Sequence, residues 1–489
     1  MTTLVLDIGS SSVRALLYDD AAQLLPDAIA RRAHAFTTDA DGTSTADARQ
    51  LRTLIEACID DILTHPAAQM IQAVGMATFV GNLLGLDAAG QPVTPVYTYA
   101  DTRCSDACEH LRAQIDTAAT HQRTGCPHCT AYHPAKLRWL HQQGIHANQW
   151  TDIGTYFYGV WFGRTVPCSY SVASWSGLLN RAALEWDDEW LRLLDLSMDV
   201  LPPLADYTCA QTQLTTDYAT RWQSLAHVPF YLAVGDGAAA NVGAGAVERG
   251  QAALTIGTTA ALRMITTEAL PAVPDGLWSY RVDSRRHLIG GATNEGGSTI
   301  AWVRATCNVP DNAEVQLQQR PPDAHGLTFL PLLTGERSPG YNAQATGIIQ
   351  GVRASTTPLD ILQAAMEGVS LRLALIAERL GIDDNCTVYA GGGALRASPA
   401  WAQVCADAFN ATLHVLDEQE TTGRGVALLV LEAVHSPVTR AEVPMTIIEP
   451  QAAHVAILRQ ARARHLRLYE TVISPHAPDD TEQPPANDT

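Results

Sequence analysis

One carboxylate, Asp236 in the apolar, glycine-flanked run Ala233-Val234-Gly235-Asp236-Gly237, lies in sequence between two hydroxyl-rich turns suited to phosphate. The first is Gly9-Ser10-Ser11-Ser12, set between the apolar runs Thr3–Ile8 and Val13–Tyr18, a pattern that predicts a β-hairpin. Its tip offers backbone N–H groups and three hydroxyls. A phosphate there would receive charge-assisted hydrogen bonds from the backbone and Arg14, while Asp7 could hold a hydrated Mg²⁺ that shields a polyphosphate. The second turn, Gly257-Thr258-Thr259, repeats strand, glycine, hydroxyls and strand about half a chain later, as a duplicated nucleotide-binding architecture would. Either hairpin alone is common without a ligand. Together, flanking Asp236, they point to phosphoryl transfer.

The elements that must position these groups alternate along the chain. Leu51, Leu54, Ile55, Cys58, Ile59, Ile62 and Leu63 recur at helical spacing and stop before Pro66. A second helix is predicted from Pro358 toward Leu380, with Thr356 or Thr357 as N-cap and Gly381 at the stop. A last helix carries Val455, Leu458, Leu466, Leu468 and Val472. Strands followed by helices in both halves predict an α/β fold. The division is 1–245 for a first lobe, 246–474 for a second and 475–489 for a Pro- and Asp-rich disordered tail, with the site in the cleft between lobes.

Composition narrows the partners. A chain of 489 residues exceeds what one hydrophobic core supports, which fits two lobes. Lys and Arg number 32 against 51 Asp and Glu, and the net charge of −19 argues against nucleic acid or an anionic membrane as partner. With no spanning apolar stretch and no signal region, the expectation is a cytoplasmic protein. The ten cysteines are scattered, so reduced thiols are the default. Cys126-Pro127-His128-Cys129, with Cys104, Cys108 and His133, can be drawn as a zinc site, but a second Cys-x-x-Cys is missing and free thiols are the simpler reading.

From Thr3 to Val434 the ordered blocks resemble the FGGY family of carbohydrate kinases. They are Asp7 to Arg14, Tyr99-Ala100-Asp101-Thr102-Arg103, Val172 to Asn180, Gly235 to Ala238 with Asn241 to Gly245, Gly257-Thr258-Thr259, Gly335 to Pro339, Glu367-Gly368-Val369 and Gly391 to Ala394 with Ser398 and Trp401. The resemblance implies two ribonuclease H-like lobes of the actin-like ATPase kind, ATP and Mg²⁺ as cofactors, and a sugar, sugar acid or polyol as acceptor. It makes Asp236 the catalytic base and, with Asp7, a metal ligand; the alternative is an ordinary turn Asp. It places Gly9, Ser10, Ser11, Ser12, Arg14, Gly257, Thr258 and Thr259 on the phosphates, and Gly297, Gly392, Gly393 and Ser398, with Gln403 just beyond, along the nucleotide.

Asp101 and Arg103 match the family's substrate segment, with Tyr99 where many relatives have Trp; a solvated salt bridge at a helix start is the bland alternative. Val80 and Gly81 stand where glycerol kinases carry Arg-Glu, which argues against glycerol and predicts a wider pocket walled by Thr78, Phe79 and Asn82, unless those three are core packing. The His that gluconate kinases usually carry near Gly81 is absent. The favoured substrate is nevertheless gluconate or a similar sugar acid, on Tyr99 to Arg103 and Asn294 to Ser298. The rivals are a ketose such as xylulose, or a catalytically dead sugar or nucleotide sensor. A homodimer is compatible with all of these.

Overall fold

The computed structural model describes residues 1–434 and 440–473, so the expected disordered tail lies outside the described residues. The chain forms two compact units, and they are discontinuous in sequence. The first joins Met1–Ala253 with Arg263–Gly290 and Leu416–Met445; the second joins Leu254–Leu262, Gly291–Val415 and Thr446–Thr489.

In the first unit, β1 (Thr2–Ile8), β2 (Ser12–Tyr18), β3 (Leu24–Ala33), β4 (Ile71–Thr78) and β5 (Val234–Gly235) form a sheet in the order β5-β4-β1-β2-β3. The predicted hairpin is β1 and β2, antiparallel, with Asp7 opposite Arg14. β4 runs parallel to β1, and β5 parallel to β4. β1 is buried along its whole length, as its Leu-Val-Leu run requires. The predicted first helix is Ala48–Ile62, capped by Asp47, whose side chain accepts from Gln50 N.

Glycines explain why late segments join this unit. Helix Thr421–Val434 lies directly on the sheet at Gly75, where a Cβ would stand 2.5 Å from Val430 and 2.6 Å from Val426. The same helix crosses helix Asp236–Gly243 backbone to backbone, since a Cβ on Gly243 would fall 1.8 Å from Thr421 O and one on Gly425 1.7 Å from Ala239 O. No side chain fits either position. Residues 263–290 join for a different reason: Ser279 N donates to Gly125 O, Arg281 N donates to Ser174 Oγ, and the Tyr280 ring stacks on Trp175.

The second sheet has seven strands: β6 (Gln251–Ile256), β7 (Ala260–Thr266), β8 (Trp278–Arg281), β9 (His287–Thr293), β10 (Thr387–Gly391), β11 (Thr412–Leu416) and β12 (Met445–Ile448), in the order β8-β9-β7-β6-β10-β11-β12. Helix Pro358–Leu380 has a full capping box between Thr357 and Asp360 and ends at Gly381 with φ +72°, as its sequence predicts. Helix Pro399–Phe409 packs against it through Trp401, whose indole N–H donates to Met366 O and Ser370 Oγ. In the last helix, Ala452–Val472, the buried face is Val455, Leu458, Ala461, His465 and Leu468. Val472, at the end of this helix, is exposed.

Candidate active site

The register of the first sheet puts three strand ends in line: Ile8 pairs with Thr78, and Thr78 with Gly235. Asp7, Thr78 and Asp236 therefore meet at the carboxyl ends of parallel strands, where α/β sheets place their ligands. Asp7 is buried, and desolvation pushes its carboxyl up to about 7 against the pull of Arg14, with Asp236 and Glu420 adding repulsion. Asp236, first residue of its helix, is half-buried and pushed up to about 6 by desolvation, while the Arg263 guanidinium and the Gly237 N–H pull it back down. Thr78 Oγ1 and Ser12 Oγ are buried here without a hydrogen-bond partner.

Arg14 does not stand ready as a lone phosphate donor. Its Nη1 donates to Asp7 Oδ2 at 3.2 Å and, more closely, to Glu420 Oε2 at 2.6 Å. The Gly9–Ser12 turn is closed by Gly9 N to Ser12 O and pinned from β3's end by His34, whose N–H donates to Ser11 O and whose Nε2 lies 2.9 Å from Gly9 O. Ser10 and Ser11 are exposed at the tip.

The expected substrate wall divides. Phe79 is core, tilted against Phe36. Asn82 is a clamp, its Nδ2 donating to Phe79 O and its Oδ1 accepting from Ile153 N at the start of helix Ile153–Phe162. Both oxygens of Asp101 are engaged, by Arg103 and by Ser44 N, and Arg103 lies over the Tyr97 and Trp139 rings. The ion pair foreseen as the bland alternative is thus present, with the carboxylate buried rather than solvated. Gly81 has φ +67°, and a Cβ there would stand 3.1 Å from Tyr99 Cβ.

Residues that sequence reasoning gave no role complete this half. Trp175 packs under Gly235 and Gly237, stacked on Tyr280 with ring centroids 3.6 Å apart, and Tyr280 shares a 2.6 Å hydrogen bond with Tyr132. Arg263, Glu420 and His34 are the others. In the sequence Trp175 lies within Val172–Asn180 and Arg263 shortly after Thr259, both large groups near a reactive turn. Nothing local marks Glu420, which lies 406 residues from Arg14.

In the second unit the turn Gly257-Thr258-Thr259 is closed by Gly257 N to Thr259 O, and both threonines are exposed. Gly297 N and Ser298 N donate to Gly257 O and Thr258 O, holding helix Gly297–Thr306 against the turn. The glycines fall into two classes. A Cβ on Gly296 would stand 2.7 Å from Thr259 O, one on Gly297 2.8 Å from Gly257 O, and one on Gly392 (φ +102°) 2.2 Å from Ile256 O, so these three serve packing. A Cβ on Gly257, Gly391 or Gly393 would meet nothing within 4 Å, so these three border open space. Ser398 is occupied: its Oγ caps helix Pro399–Phe409 at Trp401 N and donates to Glu314 Oε2. Gln403 is likewise paired, with Asp407 and Glu449 O. Glu336, in the Gly-Glu-Arg block, is held by Arg372, Tyr469 and Gly340 N, a buried structural knot.

Two metal readings can be weighed on geometry. All ten cysteines are free thiols, and among the described residues the group of metal-ligating side chains that converges is Asp323, His325 and Glu367, not the Cys126 cluster. That trio is closed on itself: His325 Nδ1 accepts from Leu327 N, which leaves Nε2 protonated toward Glu367, and Glu367 also takes Asp323 N and Gln363 Nε2.

Two family models cover most of the chain: the N-terminal domain of the FGGY family of carbohydrate kinases matches residues 2–243 and the C-terminal domain residues 252–434. The chain belongs to the FGGY family. It is 26% identical over 454 residues to a gluconokinase of Bacillus subtilis, covering 88% of this chain and 86% of that protein. It is also 26% identical over 415 residues to a xylulose kinase of Escherichia coli, covering 82% and 84%. The crystal structure of gluconate kinase from Lactobacillus acidophilus superposes with a TM-score of 0.89 at 22% identity, over 97% of this chain and 99% of that one, which establishes the actin-like ATPase fold. As an FGGY kinase the chain is an ATP-dependent phosphotransferase acting on a carbohydrate. Among the described residues no helix is long and apolar enough to cross a membrane.

Proposed function

We propose that this FGGY kinase phosphorylates a hydroxyl of an open-chain sugar acid, gluconate first among them, with Asp236 as general base. The observation that carries the chemistry is the placement of Asp236 beside Asp7 at the aligned strand ends, with its carboxyl pushed up to about 6. At neutral pH such a group is roughly nine-tenths ionised yet basic enough to accept the proton of a sugar hydroxyl as the new O–P bond forms. Asp7 and Asp236 are oxygen donors whose burial favours a positively charged partner, which fits Mg²⁺; bound there, the ion would neutralise charge on the transferred phosphate. Arg14, oriented by Asp7 and Glu420, and the Gly9–Ser12 turn supply donors to the phosphate in this reading.

The nucleotide is assigned to the second unit. The exposed hydroxyls of Thr258 and Thr259 suit phosphate oxygens. Gly257, Gly391 and Gly393 leave room for close approach. Similarity to proteins named gluconokinase supports the sugar acid; similarity to xylulose kinases supports a ketose as the second reading. The cytoplasm, where ATP is plentiful, is the proposed location.

ADP release from purified protein with ATP and Mg²⁺, measured across aldonates, ketoses, aldoses and polyols, tests the reading. An aldonate should give a kcat/KM at least tenfold above any neutral sugar. Turnover confined to a ketose would install the second reading, and nucleotide binding without turnover on any sugar would make the protein a sensor.

A further inference from the structure

We propose that Arg263 is the residue that reads the carboxylate of the acceptor, with the Trp175 indole N–H donating beside it. The inference rests on the sugar-acid reading and adds the group that makes it specific. Gly237, one residue past the proposed base, has no room for a side chain: a Cβ there would stand 3.1 Å from the Trp175 ring and 3.7 Å from Arg263 Nε. Arg263 and Trp175 therefore lie together against the first turn that carries Asp236. Arg263 is half-buried, and its charge already acts on Asp236.

Charge makes the need explicit. The acceptor end of the first unit holds Asp7, Asp236 and Glu420, and Arg14 already pairs with Asp7 and Glu420. A neutral sugar can approach that set unaided. A sugar acid brings one more negative charge toward Asp236 and needs a cation on the same side. Arg263 is placed for this, and its planar fork matches a carboxylate with two parallel hydrogen bonds.

Trp175 supplies an independent observation. It is 8% exposed, and its Nε1 is buried with no hydrogen-bond partner. The ring cannot swing to find one, because it is stacked on Tyr280, tilted against Trp278, and Tyr280 is tied to Tyr132. The unsatisfied N–H lies 2.7 Å from where a Cβ on Gly235 would sit, on the residue preceding Asp236. A buried donor without a partner is costly and uncommon in native proteins, and a bound carboxylate or hydroxyl oxygen would satisfy it.

The test compares gluconate with sorbitol, its uncharged analogue, by titration calorimetry and by KM or inhibition constants. Wild type, Arg263→Gln, Arg263→Lys and Trp175→Phe are measured, with thermal melts to confirm folding. Arg263→Gln should weaken gluconate 30-fold or more while sorbitol stays within threefold, and Arg263→Lys should recover part of the loss, restoring charge without the fork. Trp175→Phe should weaken gluconate several-fold. Equal losses for gluconate and sorbitol, or an upward shift of the pH–rate limb as the only change, would mean that Arg263 merely tunes Asp236 and would overturn the assignment. If wild type itself neither binds nor phosphorylates gluconate, the sugar-acid reading falls and this inference with it, an outcome distinct from equal losses in a gluconate-active enzyme. Should the Gln variant fail to fold, the Lys variant and the Trp175 change decide alone.

Discussion

The two units prepare for phosphate chemistry in opposite ways. The first uses charge that is expensive to bury: Asp7 and Asp236 both sit well above the ordinary carboxylate range, and Arg14 is restrained by two acidic partners. The second uses the absence of side chains: its Gly-rich turns border open space, and its hydroxyls are exposed. Groups of the first kind change what a bound molecule does. Those of the second kind change how closely a molecule can come.

The contrast is most sharply broken by Asp236→Asn. Removing the base should lower kcat by about 10²- to 10⁴-fold, while nucleotide affinity stays within a few-fold, because the proton is accepted only as the bond forms. In wild type, kcat/KM should fall tenfold per pH unit below about 6, where Asp236 becomes protonated, and level off above. Stability runs the other way. The folded carboxyl titrates near 6 and the unfolded one near 3.8, so ligand-free protein loses stability as pH rises between those values. Asn at 236 should remove that loss, gaining on the order of 2 kcal/mol at pH 8 and nothing at pH 3. Urea melts at the two pH values check it. A variant with near-native turnover, or one with no pH-dependent gain, would place the base elsewhere.

The second unit is tested by glycines whose Cβ would touch nothing. Gly391→Ala and Gly393→Ala should leave stability within about 0.5 kcal/mol of wild type, since both positions face open space. Their KM for ATP should nonetheless rise 10-fold or more with little change in sugar KM, because only a ligand would meet the added methyl. Gly392→Ala is the control: at φ +102° and 2.2 Å from Ile256 O it should destabilise by more than 1 kcal/mol whether or not nucleotide is present. An unchanged ATP KM in the two open variants would move the nucleotide away from this turn.

How much of this could be read from the residues follows the same line. Local signals survived intact: the Asp7–Arg14 hairpin and the Thr357 cap with its Gly381 stop are both set by neighbours in sequence. What needed coordinates was long-range. Glu420 reaches Arg14 across 406 residues, and Trp175 becomes relevant through two glycines some sixty residues away that let it pack beneath Asp236. The discontinuous units have the same origin, since Gly75 lets a late helix lie on the first sheet and Gly243 and Gly425 let it cross the helix of Asp236. Motif matching also cannot tell a glycine that borders open space from one closed off by another backbone, which is the difference between Gly393 and Gly392.

Ser398 marks where the two kinds of residue are easiest to confuse, and it carries the smallest expected effect. By motif it belongs with the nucleotide; by geometry its hydroxyl is already used, accepting from Trp401 N and donating to Glu314. Ser398→Ala should therefore cost about 1 kcal/mol through loss of the helix cap and leave the ATP KM within twofold. The buried indole of Trp401 reports the loosened cap by fluorescence, independent of turnover. A large rise in ATP KM with unchanged stability would show instead that the hydroxyl exchanges Glu314 for the nucleotide on binding. In that case the open glycines and the capped serine would act as one surface, and the sharp line drawn between them would have to go.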